Sequence, residues 1–111
     1  MWFIFPQIHG LGQSEMARRY AMSSLEEARS YLAHPLLGSR LAECTRLVCA
    51  IEGRTIEEIF GYPDYLKFRS SMTLFAQATT SSVVFQGALN RYFGGMVDPA
   101  TMAQLSAIGS L

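Results

Sequence analysis

The sequence predicts an all-α domain of six or seven short packed helices, and three observations lead there. Apolar residues recur at spacings of 3 and 4 rather than 2. Capping signals open one segment after another. No run of residues reads as a convincing strand.

Taken in chain order, Trp2 to Gly12 reads as irregular or extended, with Pro6, Gly10 and Gly12 as punctuation. Ser14 is placed to cap a first helix running to about Met22. Ser24-Leu25-Glu26-Glu27 has the form of a capping box, opening a helix to about Ala33. His34-Pro35 marks the next boundary, because the residue before proline avoids the α region and proline suits a first helical turn. Leu37, Leu41, Cys44, Val48 and Ile51 are then spaced 4, 3, 4 and 3, one apolar stripe that ends at Gly53. This stripe predicts the central, most buried helix. Thr55-Ile56-Glu57-Glu58 is a second capping box, opening a short helix that stops near Gly61. Pro63-Asp64 starts a helix to about Ala78, with Tyr65, Phe68, Met72 and Phe75 along one side. After a polar break at Thr79 to Ser82, a helix runs through Phe93 and stops at Gly94-Gly95. Asp98-Pro99 caps a final helix to about Ala107.

The 111 residues fit one domain, 1–111, long enough to bury a core without disulfides or a metal. Charged residues make up 16%, against a typical ~25%, and the formal net charge is zero. Few charges remain to hold copies apart, so a homo-oligomer, simplest as a dimer, is expected. Trp2, Phe3 and Phe5 are expected in or beside that interface. The nine basic residues are scattered among nine acids, which argues against nucleic acid. No apolar run approaches the ~20 residues of a membrane span, and the apolar start lacks the length and basic flank of a signal peptide. Cys44 and Cys49 are about 500° apart on a helix, face different ways and cannot bridge each other. Both read as buried thiols of a cytoplasmic protein.

Three clusters offer chemistry. Gly10-Leu11-Gly12-Gln13-Ser14 runs into a helix start, where free N–H groups, a serine cap and nearby Arg18 suit an anion. It lacks a P-loop lysine, and the plainer reading is a capped glycine turn. Asp64, Lys67 and Ser71 share a helical face, flanked by Arg69, Ser70 and Thr73. Its plainer reading is a solvated ion pair with surface hydroxyls, although several hydroxyl residues inside one helix cost propensity and hint at a partner or pocket. Trp2, Phe3 and Phe5, with Gln7 and His9, have the look of a cleft or of core-fillers tying down a terminus. His9 and His34 stand far apart without metal-ligand spacing, so no metal and no cofactor is expected.

Four runs carry a resemblance. They are Met-Trp-Phe-Ile-Phe-Pro-Gln-Ile-x-Gly-Leu-Gly-x-Ser at the start, Tyr31-Leu32-x-His34-Pro35-Leu36-Leu37-Gly38, Lys67-x-Arg69-Ser70-Ser71-Met72-Thr73-Leu74-Phe75 and Arg91-Tyr92-Phe93-Gly94-Gly95. Together, in this order and over essentially the whole chain, they resemble the bacterial domain-of-unknown-function family 1810. That resemblance implies a mainly α-helical fold and no established activity. The name "calpastatin" sometimes given to such sequences does not suit this composition, since inhibitors of that kind are polar and disordered. Family members usually carry a helical segment ahead of the Trp-Phe-Ile-Phe-Pro-Gln run, so the chain is expected to be incomplete at its N-terminus relative to the family.

The expectation drawn from all this is a cytoplasmic helical domain that binds a small anionic ligand or a protein partner. The residues expected to do so are Gln7, Gly10, Gly12, Ser14 and Arg18 on one side, and Lys67, Arg69, Ser71 and Thr73 on the other, around one shared pocket. The alternatives are an enzyme acting on a nucleotide-like or phosphorylated metabolite, and a purely structural self-association module. The residues assign no catalytic role.

Overall fold

Capping explains where most of the elements begin. The computed structural model describes residues 4–11 and 15–109, and within them the chain forms seven helices and no sheet. Residues Glu15–Tyr20 form α1. Ser24 accepts from the Glu27 amide at 3.1 Å and opens α2, Leu25–Ala33. The other half of the expected box is absent, because the Glu27 carboxylate takes the Ser23 hydroxyl instead. Helix α3, Leu37–Cys49, has an unexpected cap: His34 Nδ1 accepts from the amides of Leu36 (3.2 Å) and Leu37 (3.1 Å). Such a cap requires the neutral imidazole with its proton on Nε2. Thr55 and Glu58 form both halves of the box that starts α4, Ile56–Phe60. Those bonds, led by the one from the Thr55 backbone, hold the Glu58 carboxyl below its ordinary value. Helix α5 spans Asp64–Ala78 and α6 spans Val83–Phe93, where Gly94 ends it at φ 62°. Asp98 caps α7, Pro99–Ala107, with proline in its first turn. The extended start is tied down by one parallel bridge, Ile8 to Met22, through bonds of 2.7 and 2.8 Å.

The core is built around α5. Phe68, Met72, Leu74 and Phe75 are fully buried, and so are Ser71 and Thr73 between them. α5 touches α2, α4, α6 and α7, whereas α3 packs on α2 and α6. Phe5 enters this core edge-on to Phe68, 5.0 Å between ring centres, and edge-on to Phe60 at 5.9 Å. It is buried in its own fold. Trp2 and Phe3 lie outside the described residues.

The expectation that the α3 stripe is the most buried one is corrected here. Leu41 is buried, Cys44 and Val48 are half-buried, and Leu37 and Ile51 are each 37% exposed. The physical reason is that a clean apolar stripe marks a helix with one face on the core and one on water. A helix enclosed on most sides buries more than its stripe, as α5 does with Ser71, Thr73 and Leu74 beside Phe68, Met72 and Phe75. Close approach, rather than apolar bulk, fixes the start of α3: a Cβ on Gly38 would stand 2.0 Å from the Leu32 carbonyl oxygen.

Chemical denaturation of four variants checks this arrangement. Phe68→Ala is expected to cost about 3–5 kcal/mol and Leu41→Ala about 2–5 kcal/mol, both through cavities. Gly38→Ala should cost about 1–3 kcal/mol or more, because the clash is with backbone. Ile51→Ala should fall within about 0.5 kcal/mol of the parent. An Ile51→Ala loss as large as that of Leu41→Ala would restore α3 to the centre.

Candidate functional site

The residues expected to share one pocket do different things. Gly12 and Ser14 lie outside the described residues. Gln7 is half-buried, and its backbone oxygen accepts from the Met22 amide. Gly10, at φ 101°, runs so close to α7 that a Cβ there would meet the Gln104 side chain at 2.7 Å. Arg18 is exposed on α1. Lys67 Nζ lies 3.8 Å from Asp64 Oδ1, a pair open enough to water to contribute little.

The hydroxyls of α5, read from sequence as surface groups, are buried, and that reading is corrected. Ser70 Oγ donates to Asp98 Oδ2 at 2.8 Å, and the same oxygen accepts from Thr101 Oγ1 (2.6 Å) and the Thr101 amide (3.2 Å). Thr73 Oγ1 accepts from the Asp98 amide at 2.8 Å and donates to the Arg69 carbonyl at 2.9 Å. Arg69 donates to the carbonyls of Met96 (3.1 Å) and Val97 (2.8 Å), with its guanidinium over the Phe93 ring. Arg69, Ser70 and Thr73 therefore hold the segment that leads into α7. Among the described residues Ser71 Oγ is buried without a hydrogen-bond partner.

Among the described residues, three cavities open elsewhere, and other residues line them. The first, about 330 Å³, is walled by Ile4, Tyr31, Leu37, Arg40, Leu41 and Cys44. The second, about 380 Å³, lies between α3 and α6 and is lined by Arg46, Cys49, Val83, Val84, Gly87 and Arg91. The third, about 370 Å³, is lined by Arg54, Thr55, Ile56, Glu57, Arg91 and Tyr92. Cys44 and Cys49 are half-buried rather than fully buried because each faces a cavity, and they face different ones, as their spacing predicts.

Elementary helix chemistry positions the second cavity's cations. The last turn of a helix leaves carbonyls without intrahelical partners. At the end of α3 and just beyond it α6 supplies donors: Tyr92 Oη donates to Val48 O at 2.6 Å, beside the Ile51 amide, and Arg91 Nη2 donates to Ile51 O at 2.8 Å. Arg91 is thereby anchored at one side of the cleft, its guanidinium 5.4 Å from the Tyr92 ring centre. Hydrogen bonding with Tyr92, then nearby charge, raises its already high pKa. Arg46 reaches the cleft from α3, and among the described residues no carboxylate pairs with it. Burial pushes the Cys49 thiol up, with Arg91 opposing, so the sulfur stays protonated and weakly nucleophilic. In the first cavity burial, then Cys44, pushes the Tyr31 phenol up, leaving a neutral O–H donor. Among the described residues no three His, Cys, Asp or Glu side chains gather as metal ligands would. None of the described helices is long and apolar enough to cross a membrane.

Sequence reasoning missed Arg46 and Arg91 because they stand 45 positions apart and meet only once α3 packs on α6. The signals present were local: Arg46 and Cys49 three apart, Arg40 and Cys44 four apart, and Arg91 inside one of the runs that carry the resemblance.

The family model described as a protein of unknown function (DUF1810) matches residues 1–105. Among solved structures the chain is similar to the crystal structure of the conserved hypothetical protein Rv1873 from Mycobacterium tuberculosis. Identity is 58% and the TM-score 0.93, over 95% of this chain and 75% of that one. No curated protein matches at a significant level. Neither description names a ligand or a reaction.

The two adjacent serines of α5 should respond in opposite ways to the same truncation. Ser70→Ala is expected to cost about 1–3 kcal/mol in denaturant melts, since it removes a donor from a charged acceptor. Ser71→Ala should be neutral or stabilising, because it deletes a buried hydroxyl that bonds nothing. Equal losses at both positions would show that the Asp98 contact carries no special energy.

Proposed function

This chain belongs to the DUF1810 family, a membership that brings a fold and no reaction, and we propose that it is a small-molecule-binding domain whose α3–α6 cleft takes an anionic ligand. The observation that carries this reading is the convergence of Arg46 and Arg91 on one cavity with no acid among its lining residues. Two guanidinium groups present planar N–H forks that match a carboxylate or phosphate. Val83, Val84 and Gly87 form the apolar remainder of the lining, suited to the uncharged body of such a molecule. Gly87 contributes room: a Cβ there would meet nothing within 4 Å. The expected ligand is a metabolite-sized carboxylate or phosphate monoester.

Thermal melts with such anions, on the parent and two variants, test this. A ligand at ten times its Kd stabilises by about 1.4 kcal/mol, which for a domain of this size raises Tm by about 5 °C. Arg46→Gln, which removes a cation without a carboxylate partner among the described residues, should abolish the shift and leave the unliganded Tm in place. Gly87→Leu should fill the cleft and block binding while supporting the helix, since glycine costs about 1 kcal/mol in a helix interior. A shift that survives both substitutions would place the anion elsewhere.

A further inference from the structure

The other side of α3 carries a cavity of a different character. Its six lining residues include Ile4, Leu37 and Leu41, with the Tyr31 hydroxyl, the Cys44 thiol and the Arg40 guanidinium as the polar groups. It is more enclosed than the arginine cleft, and fully buried Leu41 is part of its wall. Tyr31 from α2 and Cys44 from α3 line the same cavity. Arg40 is exposed, and among the described residues no carboxylate pairs with it. A concave, mostly apolar site with a few convergent polar groups is the ordinary form of a small-molecule pocket, and about 330 Å³ is within the usual range.

We propose that this α2–α3 cavity is a second binding site, distinct from the arginine cleft, for a compact apolar carboxylic acid. The hydrocarbon part lies against Ile4, Leu37 and Leu41, and the carboxylate meets the Arg40 guanidinium. Arg40, the one cation among the described lining residues, sets the class. One guanidinium at an apolar cavity favours a single carboxylate on a hydrocarbon body, whereas the paired arginines of the other cleft favour a more polar anion.

The two cysteines report on the two cavities separately. Alkylation of the intact protein by iodoacetamide is followed at Cys44 and Cys49 by mass spectrometry, with octanoate, phenylacetate, 1-octanol or inorganic phosphate added. At ten times Kd only about a tenth of sites stay open, so octanoate or phenylacetate is expected to slow Cys44 about tenfold while Cys49 keeps its rate. Octanol, which lacks the charge, should leave Cys44 unprotected, and Arg40→Gln should cancel the protection with Tm unchanged. Unchanged Cys44 labelling with both acids overturns the proposal, as does equal protection by octanol or full protection in Arg40→Gln. Phosphate protection of Cys49 bears on the arginine cleft alone, so the two readings fail separately.

Discussion

Asp98 draws the end of the chain onto its centre through one carboxylate oxygen, which accepts from Ser70, from the Thr101 hydroxyl and from the Thr101 amide. The same residue's amide donates to Thr73, and Arg69 takes the two preceding carbonyls. A segment without regular structure thus has its backbone groups satisfied where it crosses α5. The magnitudes favour the arrangement. Serine and threonine inside a helix cost roughly 0.5 kcal/mol each relative to alanine, while a hydrogen bond to a charged group contributes about 1.5–3 kcal/mol. Asp98 also places negative charge at the positive end of the α7 dipole, which adds a smaller gain. Ser70 and Thr73 are thus explained by structure before any ligand is invoked, and Ser71 is not.

Much of the fold is legible in the sequence because caps and glycine stops are local signals. Thr55 with Glu58, Asp98 with Pro99, and Gly94 each act within four residues, and each element starts or stops where they say. Burial rank is not local. The 3–4 stripe of α3 is visible because that helix keeps a wet face, and the central position of α5 is hidden by Ser70, Ser71 and Thr73 standing among its aromatics. No spacing rule reveals that a hydroxyl is buried when its partner lies 28 residues away, as Asp98 does from Ser70. His34 escaped notice as a cap for a related reason: histidine at that position is an uncommon acceptor, and the following proline masks it.

The candidate sites were less legible than the fold. Arg69 and Thr73, two of the residues singled out as donors on α5, hold the approach to α7, and Gly10 makes a close pass by Gln104. Arg40 and Arg46, which pair with no carboxylate among the described residues, sit on α3, a peripheral helix with a cavity on each flank. That division is physically reasonable, since polar groups spent on internal bonds are unavailable to a ligand. Arg40 and Arg46 point about 120° apart around α3, so they line two different cavities.

The claim that α5 and the start of α7 form one cooperative unit is tested most directly by native-state amide hydrogen exchange. The account predicts that the slowest amides are those of residues 68–78, and that the Thr101 and Met102 amides in the first turn of α7 exchange with the same free energy of opening. Exchange of those α7 amides by an independent low-energy opening, or maximal protection in α3 rather than α5, would contradict it.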